Sequence, residues 1–182
     1  MKIIGSSIFF LLCSSIAFSQ ANADNLSWSA TRKLTVEDFT IKTKDLQAST
    51  SYGQYYMDFE VRGFDAFSKN FNKRVHNYLI RSASWIDTTS DVTIALRYQQ
   101  TLFDICEIYT RQLRKDLKEN RKKLLKGTQI VNELNAAAMS AFSRRRLAYD
   151  SETGSGTIAE KQSQWEEQVQ KELAALQEYA LQ

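Results

Sequence analysis

RYQQTLFDICEIYTRQLR, residues Arg97–Arg114, is the stretch whose reading decides the fold. Val92, Leu96, Phe103, Cys106, Leu113 and Leu117 recur at spacings of three, four or their sums, and Ile105 and Tyr109 widen the stripe. That period belongs to a long amphipathic helix. Asp87–Ser90 offer N-cap candidates, with Asp91 in or near the first turn, and Gly127 ends the helix after about Lys126. Arg111, Arg114, Lys115, Lys118, Arg121, Lys122 and Lys123 line its polar side, which reads as a solvated face with Asp116 and Glu119 as local partners.

Upstream of this helix the period changes to two. Met57, Phe59 and Val61 alternate with Asp58, Glu60 and Arg62, the signature of a strand with one buried face, and the strand region runs from Ala48 to Val61, punctuated by Gly53 and Gly63. Asn25–Phe39 reads as a strand and a short turn. Phe64–Ile80 fits a strand followed by a short helix, though pattern alone leaves it open, and Ser84–Ile86 reads as a short apolar insertion before the helix start. Downstream, Thr128–Leu147 carries Ile130, Val131, Leu134, Ala137, Ala138, Ala141 and Phe142 on a narrow helical face. Tyr149–Thr157 reads as a polar loop, and a last helix starts near Ile158 with Trp165, Val169, Leu173, Leu176 and Tyr179–Ala180 in phase. An antiparallel β-rich N-terminal half followed by three helices predicts an α+β domain over residues 24–182.

The 182 residues are 43% hydrophobic and 25% charged, enough apolar content for one real core. A net charge of +3 is too small to argue for nucleic-acid binding. Residues 1–23 combine Lys2, an apolar run from Ile3 to Phe18 and small residues at Ala17-Phe18-Ser19 or Ala21-Asn22-Ala23, the pattern of a secretory signal peptide. Gly5, the serines and the shortness of the run argue against a permanent membrane anchor, which needs about 20 apolar residues. A secreted or periplasmic protein is the expectation, with a protein or peptide partner in the cell envelope. Leu12 precedes Cys13 where lipid attachment requires a small residue, so Cys106 is left as the only mature cysteine, on the apolar stripe as a buried thiol. The only histidine is His76, and one histidine makes no zinc site.

Five segments follow one another in an order that carries further meaning: WSATRKLTVEDF, ASTSYGQYYMDFEV, NYLIRSASWI, FDICEIYTRQLRKDL and YDSETGSG with QSQW after it. Together they resemble the bacterial secreted proteins called domain of unknown function 922, described as predicted zinc-dependent proteases, over nearly all of the mature chain. The resemblance implies a zincin-like arrangement with an H-E-x-x-H motif directly before Phe103-Asp104-Ile105. Two histidines four residues apart lie about 40° apart around a helix and can share one zinc, with the glutamate as general base.

Here Tyr98 stands at the first histidine position, Gln99 at the glutamate and Leu102 at the second histidine. The family's loop pattern E-T-x-H-G is matched by Glu152, Thr153 and Gly156, but Ser155 takes the histidine position. Leucine cannot ligate a metal and glutamine cannot act as a base. The resemblance therefore implies zinc for the family and none for this chain, a pseudoenzyme with no catalytic residues. Tyr98 and Leu102 are expected to fill the vacated cleft with apolar bulk, the alternative being the floor of a recognition groove. Asp104, Glu107, Asp150 and Glu152 are the remnant-cleft carboxylates, expected as buried caps or ion pairs. The alternative is a remodelled metal-independent hydrolase working in the old cleft.

Overall fold

Helix α1, Val92–Glu119, is buried around its whole circumference along its middle, from Tyr98 and Gln99 through Thr101–Ile108 to Leu113 and Arg114. Asp91 starts it by accepting hydrogen bonds from the amides of Thr93 (2.9 Å) and Ile94 (3.2 Å), so the cap sits just beyond the predicted candidates. The computed structural model describes residues 24–43, 50–59, 68, 71–124, 127 and 129–181. Residues 1–23, read above as a signal peptide, lie outside them, as do parts of the 48–61 and 64–80 readings.

Among the described residues, strands β1 (Asn25–Ser27), β2 (Ile41–Thr43), β3 (Ser51–Phe59) and β4 (Val75–Asp87) precede helices α1, α2 (Arg121–Leu124), α3 (Gln129–Thr153) and α4 (Ala159–Ala175). The order is α+β. Thirteen-residue β4 is the axis of the sheet. β3 pairs antiparallel along one edge of it, with Tyr55 opposite Leu79 and Met57 opposite Asn77. β1 and β2 pair with β4 at its two ends, β1 antiparallel and β2 parallel. The expected antiparallel sheet is thus mixed. The chain reverses between β1 and β2 around a 3₁₀ turn, Val36–Asp38, and β2 runs opposite in sense to β1. Asp38 holds that turn, accepting from the Thr35 amide at 2.8 Å and from Arg32 at 2.5 Å.

One face of the sheet lies on α1. Tyr55, Met57, Val75, Leu79 and Ile86 point into the core with Phe103, Cys106 and Leu113, and the rings of Tyr55 and Phe103 are 5.1 Å apart. Burial of this kind contributes about 25 cal/mol per Å² of apolar surface, so the contact between sheet and α1 stabilises the fold. Ser84–Ile86 is no insertion; it belongs to β4, with Ser84 fully buried and its hydroxyl turned back to the Ile80 carbonyl at 2.6 Å.

Two helix ends depart from the periodicity reading. α1 stops at Glu119 because Asn120 turns both its amide (2.9 Å) and its side chain (2.8 Å) onto the Asp116 carbonyl; Gly127 follows with φ +149°. α3 continues through YDSET to Thr153, past the predicted end at Leu147. Tyr149 and Thr153 are fully buried there, and the Thr153 hydroxyl bonds the Tyr149 carbonyl at 2.7 Å, so tertiary packing carries a polar stretch as helix. The loop is shorter than expected. It consists of Gly154–Thr157, with three consecutive positive φ values at Gly154, Ser155 and Gly156.

Candidate functional site

The positions that the family resemblance assigns to chemistry sit where α1 meets the α3–α4 loop. Tyr98 is 4% exposed and Leu102 is 0% exposed, so neither opens onto a cleft. Tyr149 stacks on Tyr98 at 5.1 Å with the rings 9° from parallel, and Trp165 meets Tyr149 edge-on at 5.2 Å. The Tyr98 hydroxyl donates to Asp150 Oδ1. Gly156 closes the other side: a Cβ at that residue would stand 2.8 Å from the Tyr98 Cβ, at a φ of +90°. Only glycine fits both the dihedral and the space.

A chain of polar bonds secures this wedge. The Tyr149 hydroxyl donates to Gln162 Oε1 at 2.6 Å, and Gln162 Nε2 donates to Thr101 Oγ1 at 3.0 Å and to Glu166 Oε1 at 2.8 Å. Gln162 is completely buried, and its bonds tie α3, α1 and α4 together. Arg97 adds a bidentate pair with Glu166, at 2.6 and 2.7 Å, on the more exposed rim. Sequence reasoning missed Gln162 and Thr101. A glutamine in a polar helix carries no signal of burial, and only its place in the QSQW segment singled it out.

Gln99, where a general base would stand, faces the sheet instead. The Tyr55 hydroxyl lies 2.9 Å from both the Gln99 carbonyl and its Oε1, while Gln99 Nε2 donates to Ser51 Oγ at 2.9 Å. Gly53 permits that contact, since a Cβ there would stand 2.6 Å from Gln99 Oε1. The residue is spent as a strut between α1 and β3. Ser155 lies in the turn with φ +56°, and its amide donates to the Asp150 carbonyl at 3.0 Å.

The four carboxylates do not converge. Asp150 takes Tyr98, with Arg146 3.9 Å from its other oxygen, and Glu152 accepts from the Trp165 indole at 2.9 Å near the surface. Asp104 and Glu107 are turned about 120° and 180° around α1 from Tyr98. Asp104 is 4% exposed and accepts from Trp28 Nε1 at 2.7 Å, Gln100 Nε2 at 2.9 Å and Gln170 Nε2 at 3.2 Å. Burial among these neutral donors raises its pKa. Glu107 Oε1 takes Arg111 Nε at 3.1 Å and Arg114 Nη1 at 2.9 Å. Both arginines are therefore interior, against the expectation of a solvated face; Arg111 is 3% and Arg114 1% exposed. Arg114 clamps the Val75 carbonyl with Nε and Nη2, and Arg111 reaches the Leu173 carbonyl at 2.6 Å. Shared pairing with Glu107 and with backbone carbonyls is what allows two guanidinium groups inside.

These surroundings limit the chemistry. Burial, then the bond to Asp150, pushes the Tyr98 phenol well above its ordinary pKa, and burial does the same to Tyr149. Neither is a nucleophile or base near neutral pH. Cys106 is fully enclosed and burial raises its thiol pKa, which keeps it protonated. Zinc, the metal the resemblance implies, does not fit these residues. Leu102 has no donor atom, the Gln99 amide is held between Tyr55 and Ser51, and the Tyr98 oxygen is bonded to Asp150. Among the described residues, no three His, Cys, Asp or Glu side chains form a group able to hold a metal. Comparison with family models, with curated proteins and with solved structures finds no match to this chain.

Proposed function

We propose that this chain is a secreted or periplasmic non-catalytic homologue of the zinc-protease-like family, a pseudoenzyme with a binding role in the cell envelope. One observation carries the reading: Gly156 and Tyr149 press Tyr98 from two sides where a metal cleft would need open space. The five segments in family order support the kinship, and the long α1 lying against one face of a mixed sheet supports a zincin-like arrangement. The replacements at Tyr98, Gln99, Leu102 and Ser155 are not surface losses. Tyr98, Gln99 and Leu102 are integrated into the core by ring stacking, hydrogen bonds and complete burial. No helix among the described residues is long and apolar enough to cross a membrane.

The test is metal analysis of the purified protein together with a peptidase assay on denatured casein, with and without chelator. The proposal expects far less than one zinc per chain after dialysis and no hydrolysis. One tightly held zinc per chain, or chelator-sensitive cleavage, would overturn it. Hydrolysis that chelator leaves unaffected would point to the remodelled hydrolase instead.

A further inference from the structure

Of the bases along the second half of α1, Arg111 and Arg114 turn inward to Glu107, and Lys115 and Lys118 stay at the surface. The charge left outside gathers at one end of the molecule. The stretch Lys115–Lys126 holds six bases against two acids, so its net charge of +4 exceeds the +3 of the whole chain. Lys115 and Lys118 are three residues apart and neighbour each other on α1. Leu117 and Leu124 are buried and hold the stretch to the core, while Lys122 and Lys123, beyond the break at Asn120, are exposed. Arg114 clamps the Val75 carbonyl with Nε at 3.0 Å and Nη2 at 2.8 Å. That clamp brings the 3₁₀ turn Phe71–Arg74 against the same end of α1 and adds exposed Lys73.

Pairing here differs from that on the rest of the surface. Lys42 is paired with Glu37, Arg97 with Glu166, Arg145 with Glu172 and Lys171 with Glu167. At the basic end Lys118 is paired with Glu178, whereas Lys73, Lys115, Lys122 and Lys123 make no ion pair among the described residues.

The residue type then selects the occupant. A planar guanidinium is suited to gripping one anion with two parallel hydrogen bonds, and Arg111 and Arg114 are committed to Glu107 and to backbone carbonyls. A lysine ammonium is a mobile, strongly hydrated point charge. Lysines spread over α1, α2 and the 71–74 turn match negative charge that is itself spread over a surface. Export, as proposed above, places the molecule beside phosphate-bearing lipids and away from nucleic acid, and the choice of a lipid surface rests on that reading.

We propose that this lysine-rich end docks the protein on an anionic phospholipid surface, with Lys73, Lys115, Lys122 and Lys123 at the headgroups. Each lysine at such a surface contributes about fivefold in affinity, and salt screens the attraction. The test is co-sedimentation of the purified protein with vesicles of phosphatidylcholine alone and of equal parts phosphatidylglycerol and phosphatidylcholine. Binding is expected to the anionic vesicles only, with release at about 1 M salt, where the Debye length falls to about 3 Å. Lys122→Glu together with Lys123→Glu should weaken binding at least about 25-fold. Both side chains are exposed, so that variant should melt like the parent. Arg144→Glu together with Lys161→Glu, at exposed residues of α3 and α4, makes the same change in net charge and should keep most of the binding. Equal binding to both kinds of vesicle, binding that survives the high salt, equal losses in the two double variants, or tighter binding to a DNA duplex than to anionic vesicles would each overturn the proposal. Metal content and peptidase activity are read separately, so the pseudoenzyme reading stands or falls independently of these outcomes.

Discussion

Replacing Gly156 with alanine tests whether the loop is seated on α1 as described. Two costs combine. A φ of +90° is unfavourable for an L-residue with a side chain, at about 1–2 kcal/mol. The new methyl would also stand 2.8 Å from the Cβ of Tyr98 and 3.4 Å from its Cγ. Neither atom is the free end of a flexible chain, because Tyr98 is stacked on Tyr149 and bonded to Asp150. Forcing a methyl into such a contact costs about 1–3 kcal/mol. The expected loss is therefore about 2–5 kcal/mol, a large share of the roughly 5–15 kcal/mol that stabilises a domain. Urea unfolding followed by circular dichroism reads this directly, and the melting temperature should fall by roughly 4–20 °C. Ser155→Ala is the control, since its Cβ is unchanged, and should stay within about 0.5 kcal/mol of the parent. A Gly156→Ala protein as stable as that control would refute the contact between loop and helix.

Three further outcomes follow from the buried polar groups. Asp104→Ala leaves the donors of Trp28, Gln100 and Gln170 unmatched and should cost about 2–3 kcal/mol in urea unfolding, whereas Asp104→Asn keeps an acceptor and should cost under about 1 kcal/mol. Glu107→Ala strands two interior guanidinium groups and should cost about 3–5 kcal/mol, or prevent folding, while Lys118→Ala at the exposed pair with Glu178 should be nearly silent. Asp87 accepts from the Thr89 amide and from the hydroxyls of Thr89 and Ser90 at 2.6–2.8 Å, and these bonds hold its pKa down to about 2. The folded value lies below the unfolded one of about 3.9, so its contribution is present above that value and lost as pH falls through the folded one. Carboxyl ¹³C NMR should find its midpoint near 2, and an ordinary midpoint near 4 would contradict these three bonds.

The place of α1 was legible because its apolar positions keep the helical period over many turns, and β3 because Met57 and Phe59 alternate with polar residues and turn toward the core. What could not be read was the all-round burial of α1. Arg111 and Arg114 spell a solvated face, and they are interior only because Glu107 and carbonyls distant in sequence (Val75, Leu173) satisfy them. The end of α3 was hidden for a similar reason. Tyr149 and Thr153 look like loop residues until Tyr98 and Gln162 pack on them. The parallel strand β2 has three residues, too few to carry a period, and its partner is set by the turn at Asp38. In the candidate site, the residue types at 98, 99, 102 and 155 lack the ligands and base of an H-E-x-x-H site, but where each side chain goes depends on tertiary contacts.

The central claim, that the flank of α1 beneath the α3–α4 loop is packed interior and no cleft, can be tested at Leu102. With Cys13 and Cys106 both replaced by alanine, Leu102→Cys places a single thiol at a position that is 0% exposed. Maleimide labelling under native conditions should then be negligible and become complete only in denaturant. Labelling of the native protein at the rate of an exposed cysteine would show an open cleft and contradict the account.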